Sequence, residues 1–175
     1  MKNILLVGMP GSGKTTIGKM LAKKMKRLFI DVDDFILQQT GQDSAEHLAC
    51  LGDDRFLDFE EDLTKRIEVE NAVIASTGSV PLREKGINHL KKNAIAIWLD
   101  ISNEILEKRI KKRSDGSTRI IGAHTMTLEE IFAWRKKAFQ KNHSIKFKLQ
   151  KELPKEKVVA KIIEILKIKD TSFFY

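Results

Sequence analysis

A chain of 175 residues with a single cysteine, Cys50, is long enough for one hydrophobic core and can form no intrachain disulfide, so a reducing, cytoplasmic home is expected. No apolar run reaches the length of a membrane span, and a strand starts within the first few residues, so neither an anchor nor a signal peptide is expected. The formal net charge of +8 suits an anionic partner, but the lysines are spread over nearly every predicted helix, which fits a solvated surface around a polyphosphate site better than a nucleic-acid face.

Ile4-Leu5-Leu6-Val7 reads as a buried strand running into Gly8-Met9-Pro10-Gly11-Ser12-Gly13-Lys14-Thr15. The spacing Gly, four residues, Gly, Lys, Ser/Thr is that of a phosphate-binding loop. Glycines let backbone N–H groups close round an anion, Lys14 reaches the outer phosphates, and the Thr15 hydroxyl is a candidate Mg²⁺ ligand. Ile17, Met20, Leu21 and Met25 then form a helical stripe whose N-terminus faces the phosphates. Gly11, Ser12, Gly13, Lys14, Thr15 and Thr16 are the candidate nucleotide-binding residues, and the expected ligand is a nucleoside triphosphate.

Leu28 to Asp31 reads as a second buried strand ending in Asp31-Val32-Asp33-Asp34. If the extended backbone continues, Asp31 and Asp33 share one side at the carboxyl end of a strand, where ligands bind in open α/β sheets. One carboxylate suits Mg²⁺ held through water and the other a hydroxyl's proton; helix capping is the competing reading and is assigned to Asp34. Gly41 ends the next helix, Ser44 caps a short one, and Gly52 precedes a longer helix over 53–69. Phe56, Phe59, Leu63 and Ile67 form its apolar stripe, with Leu57 about 100° round from Phe56 and off that stripe. Val73-Ile74-Ala75 is a third buried strand, and the Ser76-Thr77-Gly78-Ser79 loop after it suits either close backbone approach to a ligand or an ordinary turn.

Ala94 to Leu99 forms the fourth strand, followed by a helix capped by Ser102 and carrying Ile105, Leu106, Arg109 and Ile110. Continuous apolar strands alternating with helices predict an α/β fold with a parallel sheet covered on both faces. The polar segment Ser114 to Thr125 suits a lid that brings in a cation, Arg119, which reads equally well as an exposed charge. Thr127-Leu128-Glu129-Glu130 is a capping box for a helix with Ile131, Trp134, Arg135 and Ala138. Ile145, Phe147 and Leu149 alternate with lysines, as in a half-exposed edge strand. The last helix packs through Val158, Val159, Ile162, Ile163, Ile165 and Leu166, and the Phe173-Phe174-Tyr175 tail covers an apolar patch or frays. With no linker or repeat, one domain over residues 1–175 is expected.

This order of parts resembles the shikimate kinases, small members of the nucleoside monophosphate kinase group, over nearly the whole chain. The likeness rests on the phosphate loop, Asp31-Val32-Asp33, Gly52 with Phe56 and Glu60, the small-residue loop after Ile74-Ala75, Arg109, Arg119-Ile120-Ile121, and Arg135 followed by the aromatic Phe139. The resemblance implies a P-loop three-layer fold with a five-stranded parallel sheet of order 2-3-1-4-5, a lid over about residues 114–126 and acceptor-binding helices over about residues 33–69. It also implies transfer of the ATP γ-phosphate to a hydroxyl of shikimate or a related anionic acceptor. Lys14 would cradle the β and γ phosphates, Thr15 with Asp31 would hold Mg²⁺, and Asp33 would bind the acceptor and take its proton. Arg119 would neutralise the transferred group, Arg109 would pack on adenine, and Gly78 and Arg135 would contact the acceptor, Arg135 through its carboxylate. A small-molecule acceptor is the expected partner of a monomer, without membrane or nucleic acid.

Three departures stand out. The family has an arginine after the phenylalanine of the acceptor helix, and this chain has Leu57; Arg55, about 200° round the helix from it, is no simple replacement. A triple-glycine loop is replaced by Thr77-Gly78-Ser79, and the usual tyrosine by Phe139. Losing one hydrogen-bonded ion contact costs about 1.5–3 kcal/mol, roughly ten- to hundredfold in affinity. Two altered acceptor contacts beside an intact ATP side therefore suggest a changed acceptor, with Arg83 as an alternative cation. The competing readings are a nucleotide-binding regulatory protein without acceptor chemistry, and a nucleoside monophosphate kinase, for which no base pocket is identifiable.

Overall fold

The computed structural model describes residues 1–112 and 120–169, so Arg119, the first part of the expected lid and the aromatic tail lie outside the described residues. Strands β1 (Asn3–Val7), β2 (Leu28–Asp31), β3 (Ala72–Ala75), β4 (Ala94–Ile101) and β5 (Ile145–Leu149) form a parallel sheet in the order β2-β3-β1-β4-β5. Helices α1 (Lys14–Met25), α2 (Val32–Thr40), α3 (Ser44–Leu51), α4 (Asp53–Thr64), α5 (Glu84–Lys91), α6 (Asn103–Lys112), α7 (Leu128–Lys141) and α8 (Lys155–Lys169) cover its two faces. This is the expected P-loop α/β fold and strand order.

Every residue of β1 is buried because the strand is flanked by β3 and β4 and covered on both faces, which is why Ile4 to Val7 read as an unbroken apolar run. The chain leaves β1 through α1 for the edge strand β2 and crosses to β4, on the other side of β1, only after β3, so the strand order reverses beside β1 and opens a crevice at its carboxyl end. Ile17, Leu21 and Ala22 of α1 and Val158, Val159, Ile162 and Leu166 of α8 belong to the main core beside the strands. Each of these valine, leucine and isoleucine side chains contributes about 1.5–3 kcal/mol by leaving water. The alternation in β5 is as expected, with Ile145, Phe147 and Leu149 buried and Lys148 exposed at the edge of the sheet.

Five local expectations are corrected. β2 is the opposite edge strand rather than a buried one, and Leu28 is 61% exposed. The extended backbone stops at Asp31: α2 begins at Val32, and the cap is Asp31, not Asp34, because its side chain accepts the Asp33 N–H at 3.0 Å. Asp43 rather than Ser44 caps α3, in a reciprocal capping box with Glu46. The helix expected over 53–69 stops at Thr64, although Ile67 in the turn beyond it remains buried. At the start of α6, the Ser102 carbonyl accepts the Leu106 N–H, while its hydroxyl makes no cap bond among the described residues.

Candidate nucleotide and acceptor site

β1 delivers the phosphate loop to the crevice. Gly11 and Gly13 have φ of 80° and 95°, in the left-handed region where a Cβ is strained, so the loop can fold back tightly before α1. Gly13 is also the N-cap of α1 and has no side chain to offer, which leaves the first N–H groups of that helix for a ligand. The buried Ser12 hydroxyl has no hydrogen-bond partner among the described residues. Lys14 is only 8% exposed, and its Nζ donates to the carbonyls of Gly8 at 2.9 Å and Met9 at 3.1 Å. An uncapped helix end, an orphaned hydroxyl and a lysine tethered to the loop together fit a polyphosphate.

Thr15 hydrogen-bonds to Asp31, and Asp31 is buried. Burial pushes the Asp31 carboxyl above its ordinary range; Asp33 and Asp34 add to that, while the Thr15 and Asp33 N–H bonds oppose it. Among the described residues, no group of three or more acidic, histidine or cysteine side chains is placed to hold a metal ion. Mg²⁺ that keeps waters and phosphate oxygens needs only one or two protein ligands, so Thr15 with Asp31 behind it fits that ion.

Beside the loop, Gly11, Gly13, Thr16, Arg109, Glu152 and Pro154 help to line a cavity of about 520 Å³. Arg109 projects from α6, donates through Nη1 to the Gly11 carbonyl at 3.0 Å, and pairs through Nε with Glu152 at 3.4 Å. Its aliphatic stem and planar head are thus held against the loop, where a flat base could lie on them.

A second cavity, about 390 Å³, brings Lys14 and Thr15 together with Asp33, Glu60, Gly78 and Arg135. The candidate donor and acceptor residues therefore share one space. Asp33 reaches it from the first turn of α2, where the helix dipole favours a carboxylate, and Ser44 donates to its Oδ1 at 2.7 Å. The helical turn, not an extended strand, is what separates Asp31 behind Thr15 from Asp33 in the open cavity.

On the opposite wall, sequence reasoning named Gly78 and Arg135 as acceptor contacts but gave Glu60 no role and missed its bonds to Thr77 and Ser79. Glu60 of α4 is 1% exposed, and its Oε1 accepts from the hydroxyls of Thr77 at 2.6 Å and Ser79 at 2.8 Å. Thr77 and Ser79 thus spend their hydroxyls on Glu60. A glutamate four residues after Phe56 and three before Leu63, within an apolar stripe, was the available signal. Arg135 of α7 is 2% exposed; Nη1 donates to the Gly78 carbonyl at 3.1 Å, Nη2 to that of Ile121 at 3.3 Å, and Nε has no partner among the described residues. Burial lowers Arg135 to about 10 against the opposing pull of Glu60 and Asp53. Phe139, one turn further on, is buried with its ring centroid 5.8 Å from that of Trp98.

Leu57 does not line the cavity. It is buried with Phe56 and Ile121 in a satellite cluster against Leu48, Leu51, Leu82 and Trp134, so α4 has a second apolar surface that the single stripe did not reveal. Arg55 is exposed, and Arg83 is turned away, pairing with Asp58 at 3.0 Å and Asp54 at 3.6 Å. Neither supplies the missing cation. Ile121 follows directly on Ile120 at the end of the lid segment, and the Gly122 N–H donates to Asp53 at 2.8 Å, anchoring that end to the start of α4.

Burial is the largest influence on Glu60 and raises its carboxyl to about 7, with Asp33 adding to it and Thr77, Ser79 and Arg135 opposing. Because the folded protein keeps this proton to higher pH than the unfolded chain, the associated stability is complete below the ordinary carboxyl pKa of 4.5 and is lost as pH rises toward about 7. The span is on the order of 3 kcal/mol. Glu60→Gln, whose amide oxygen can still accept from both hydroxyls, is expected to flatten this part of the melting-temperature profile; an unchanged slope would assign it to other groups.

The family model described as shikimate kinase matches residues 10–167. Shikimate kinase of Clostridium botulinum is 33% identical over 147 residues, covering 83% of this chain and 86% of that protein. Threonine synthase-like 1 of Homo sapiens is 33% identical over 168 residues, covering 95% of this chain but only 22% of that protein, so the chain spans about a fifth of that relative's length. The structure of shikimate kinase from Acinetobacter baumannii in complex with shikimate has a TM-score of 0.83 at 23% identity, covering 97% of this chain and 95% of that one; at this identity it speaks for the fold. The matched span contains most of the phosphate loop, Asp33, Glu60 and Arg135, which the folded chain gathers round one cavity, and the chain belongs to the shikimate kinase family.

Proposed function

We propose that the protein is an ATP-dependent phosphotransferase acting on a hydroxyl of a small polyhydroxylated molecule. The observation that carries the reading is the shared cavity, in which Lys14 and Thr15 of the phosphate loop face the same space as Asp33. Lys14 and the open N-terminus of α1 would hold the β and γ phosphates, and Thr15 with Asp31 behind it would hold Mg²⁺. Bound there, Mg²⁺ would neutralise charge on the phosphate oxygens. Asp33 orients the acceptor hydroxyl and takes its proton as the new O–P bond forms and the bond to the β-phosphate oxygen breaks, releasing ADP. Arg109 packs against the adenine, and Arg119 supplies positive charge to the transferred group. Gly78 and Arg135 form the acceptor wall. A monomer in the cytoplasm is the setting this reading assumes.

A coupled ADP-release assay against shikimate, quinate, other polyols and nucleoside monophosphates tests it. Asp33→Ala is expected to reduce acceptor-dependent turnover by about 10²–10⁴-fold while nucleotide still binds. The kinase reading fails if no acceptor raises turnover above the ATPase background and Asp33→Ala changes nothing. A second reading, nucleotide binding without acceptor chemistry, is favoured by the apolar packing of Leu57 where the family has a cation. It expects calorimetry to show tight ATP binding and no acceptor binding.

A further inference from the structure

The turn after β3 is pinned to three other parts of the protein. Toward the sheet, the Ser76 N–H donates to the Leu6 carbonyl of β1 at 3.1 Å. Toward α4, the hydroxyls of Thr77 and Ser79 donate to the same oxygen of Glu60, Oε1, at 2.6 and 2.8 Å. Toward α7, the Gly78 carbonyl accepts from Arg135 Nη1 at 3.1 Å. Thr77 also fixes the turn itself, because its hydroxyl oxygen accepts the N–H groups of Ser79 and Val80, each at 3.2 Å, as the chain enters a short 3₁₀ helix at Val80–Leu82. Glu60, Thr77 and Ser79 are all buried and line the same cavity as Arg135. Arg135 stays competent for a ligand while anchored: each terminal nitrogen keeps a second N–H beyond its carbonyl bond, and the buried Nε has no partner among the described residues.

We infer that Thr77 and Ser79 are positioning residues for the acceptor: by tying the turn to Glu60 they set the Gly78 carbonyl, and through it the Arg135 guanidinium, against the cavity. The two residues flank Gly78, so the backbone that carries its carbonyl is fixed on both sides. Each hydroxyl has one proton and gives it to Glu60, so neither is left to donate to a ligand and their effect passes through Glu60 and Arg135. Without hydroxyls at 77 and 79 the turn would lose its bonds to α4, and the buried Glu60 would lose two donors. The same bonds mark the Glu60 titration. Burial raises that carboxyl to about 7 and the two hydroxyl bonds oppose the rise, so removing either donor makes Glu60 hold its proton to higher pH. The other charged groups lining the cavity among the described residues are Lys14 of α1, Asp33 and Asp34 of α2, Asp43 before α3 and Arg135 of α7. Substitution at 77 or 79 leaves all of them in place.

The inference rests on the kinase reading, in which Arg135 contacts the acceptor, and two kinds of measurement keep them apart. Thr77→Val and Ser79→Ala each remove one donor, and Thr77→Ser keeps it. In the full chain with ADP and Mg²⁺, NMR follows the Glu60 carboxyl through its titration and the exchange of the Arg135 Nε proton with water. The ADP-release assay, with shikimate as the acceptor probe, gives KM and kcat. Each donor-removing variant should keep Glu60 protonated to higher pH and speed the Arg135 exchange at least about fivefold. Shikimate KM should rise about tenfold with kcat within about threefold, since Lys14 and Asp33 are untouched. Thr77→Ser should match the unaltered protein in every readout. In a Glu60→Met background, Thr77→Val should add less than about twofold to KM, because the shared bond is already gone. A shifted Glu60 titration with unchanged Arg135 exchange and KM overturns the inference, as does an undiminished Thr77→Val effect without Glu60. Should Thr77→Val not fold, Ser79→Ala decides by the same readouts. No shikimate-dependent ADP release from the unaltered protein counts against the kinase reading alone, and the Glu60 and Arg135 signals then decide the positioning.

Discussion

Lys14→Met is expected to lower acceptor-dependent turnover by about 10²–10³-fold, the usual scale for removing one preorganised charge from a phosphoryl-transfer site. The ammonium is held before any ligand arrives, by the Gly8 and Met9 carbonyls at 2.9 and 3.1 Å, so little of its effect is used to order the side chain on binding. Methionine preserves the length of the stem and removes the charge and the donors. The two loop carbonyls then lose a partner, and a stability loss of about 1–3 kcal/mol is expected alongside the catalytic one. Rapid-quench measurement of the transfer step, below the melting temperature of the variant, separates the two. An unchanged transfer rate would place the phosphates away from this loop.

Gly78→Ala is expected to damage both halves of the site through a single methyl group. A Cβ at this position would lie 2.7 Å from Cδ of Pro10, in the phosphate loop, and 2.9 Å from Nη1 of Arg135, in the acceptor wall. A proline ring cannot swing aside, and the guanidinium is buried and bonded to the Gly78 carbonyl. The cost should be about 1–3 kcal/mol, as for overpacking elsewhere, or several degrees in melting temperature for a chain of this size. Acceptor-dependent kcat/KM should fall at least about tenfold, since small misplacements in such sites are expensive. Gly86→Ala is the matched control. Its added methyl would meet Glu61 Cγ at 3.4 Å, Glu61 Cα at 3.5 Å and Thr64 Cβ at 3.6 Å, close to ordinary contact distances, and alanine favours the α5 helix. If Gly78→Ala melts and turns over like Gly86→Ala, the close approach of loop and wall is not maintained in solution.

Much of the nucleotide side was legible because it is local. The phosphate loop, the strand before it and the helix after it are consecutive, and each is specified by its own spacing of glycine, lysine and apolar residues. The acceptor side was less legible because its contacts are remote in sequence. Glu60 meets Thr77 and Ser79 across 17 and 19 residues, and Arg135 meets Gly78 across 57. No periodicity reports such a pairing. The capping expectations missed by one to three residues at Asp34 and Ser44 because adjacent polar residues compete for the same role, and only the backbone turn decides between them.

By itself the sequence determined the class of fold, the parallel character of its sheet and the phosphate loop, since apolar runs, turns and glycine spacing act over a few residues. Only the tertiary structure decided that Asp31 caps a helix behind Thr15 while Asp33 opens into the cavity. It also decided that Leu57 packs among Phe56 and Ile121 without lining that cavity, and that Arg135 bonds to two carbonyls. Those outcomes depend on how separate helices meet, and burial in a shared core sets a side chain's direction more strongly than its neighbours along the chain do.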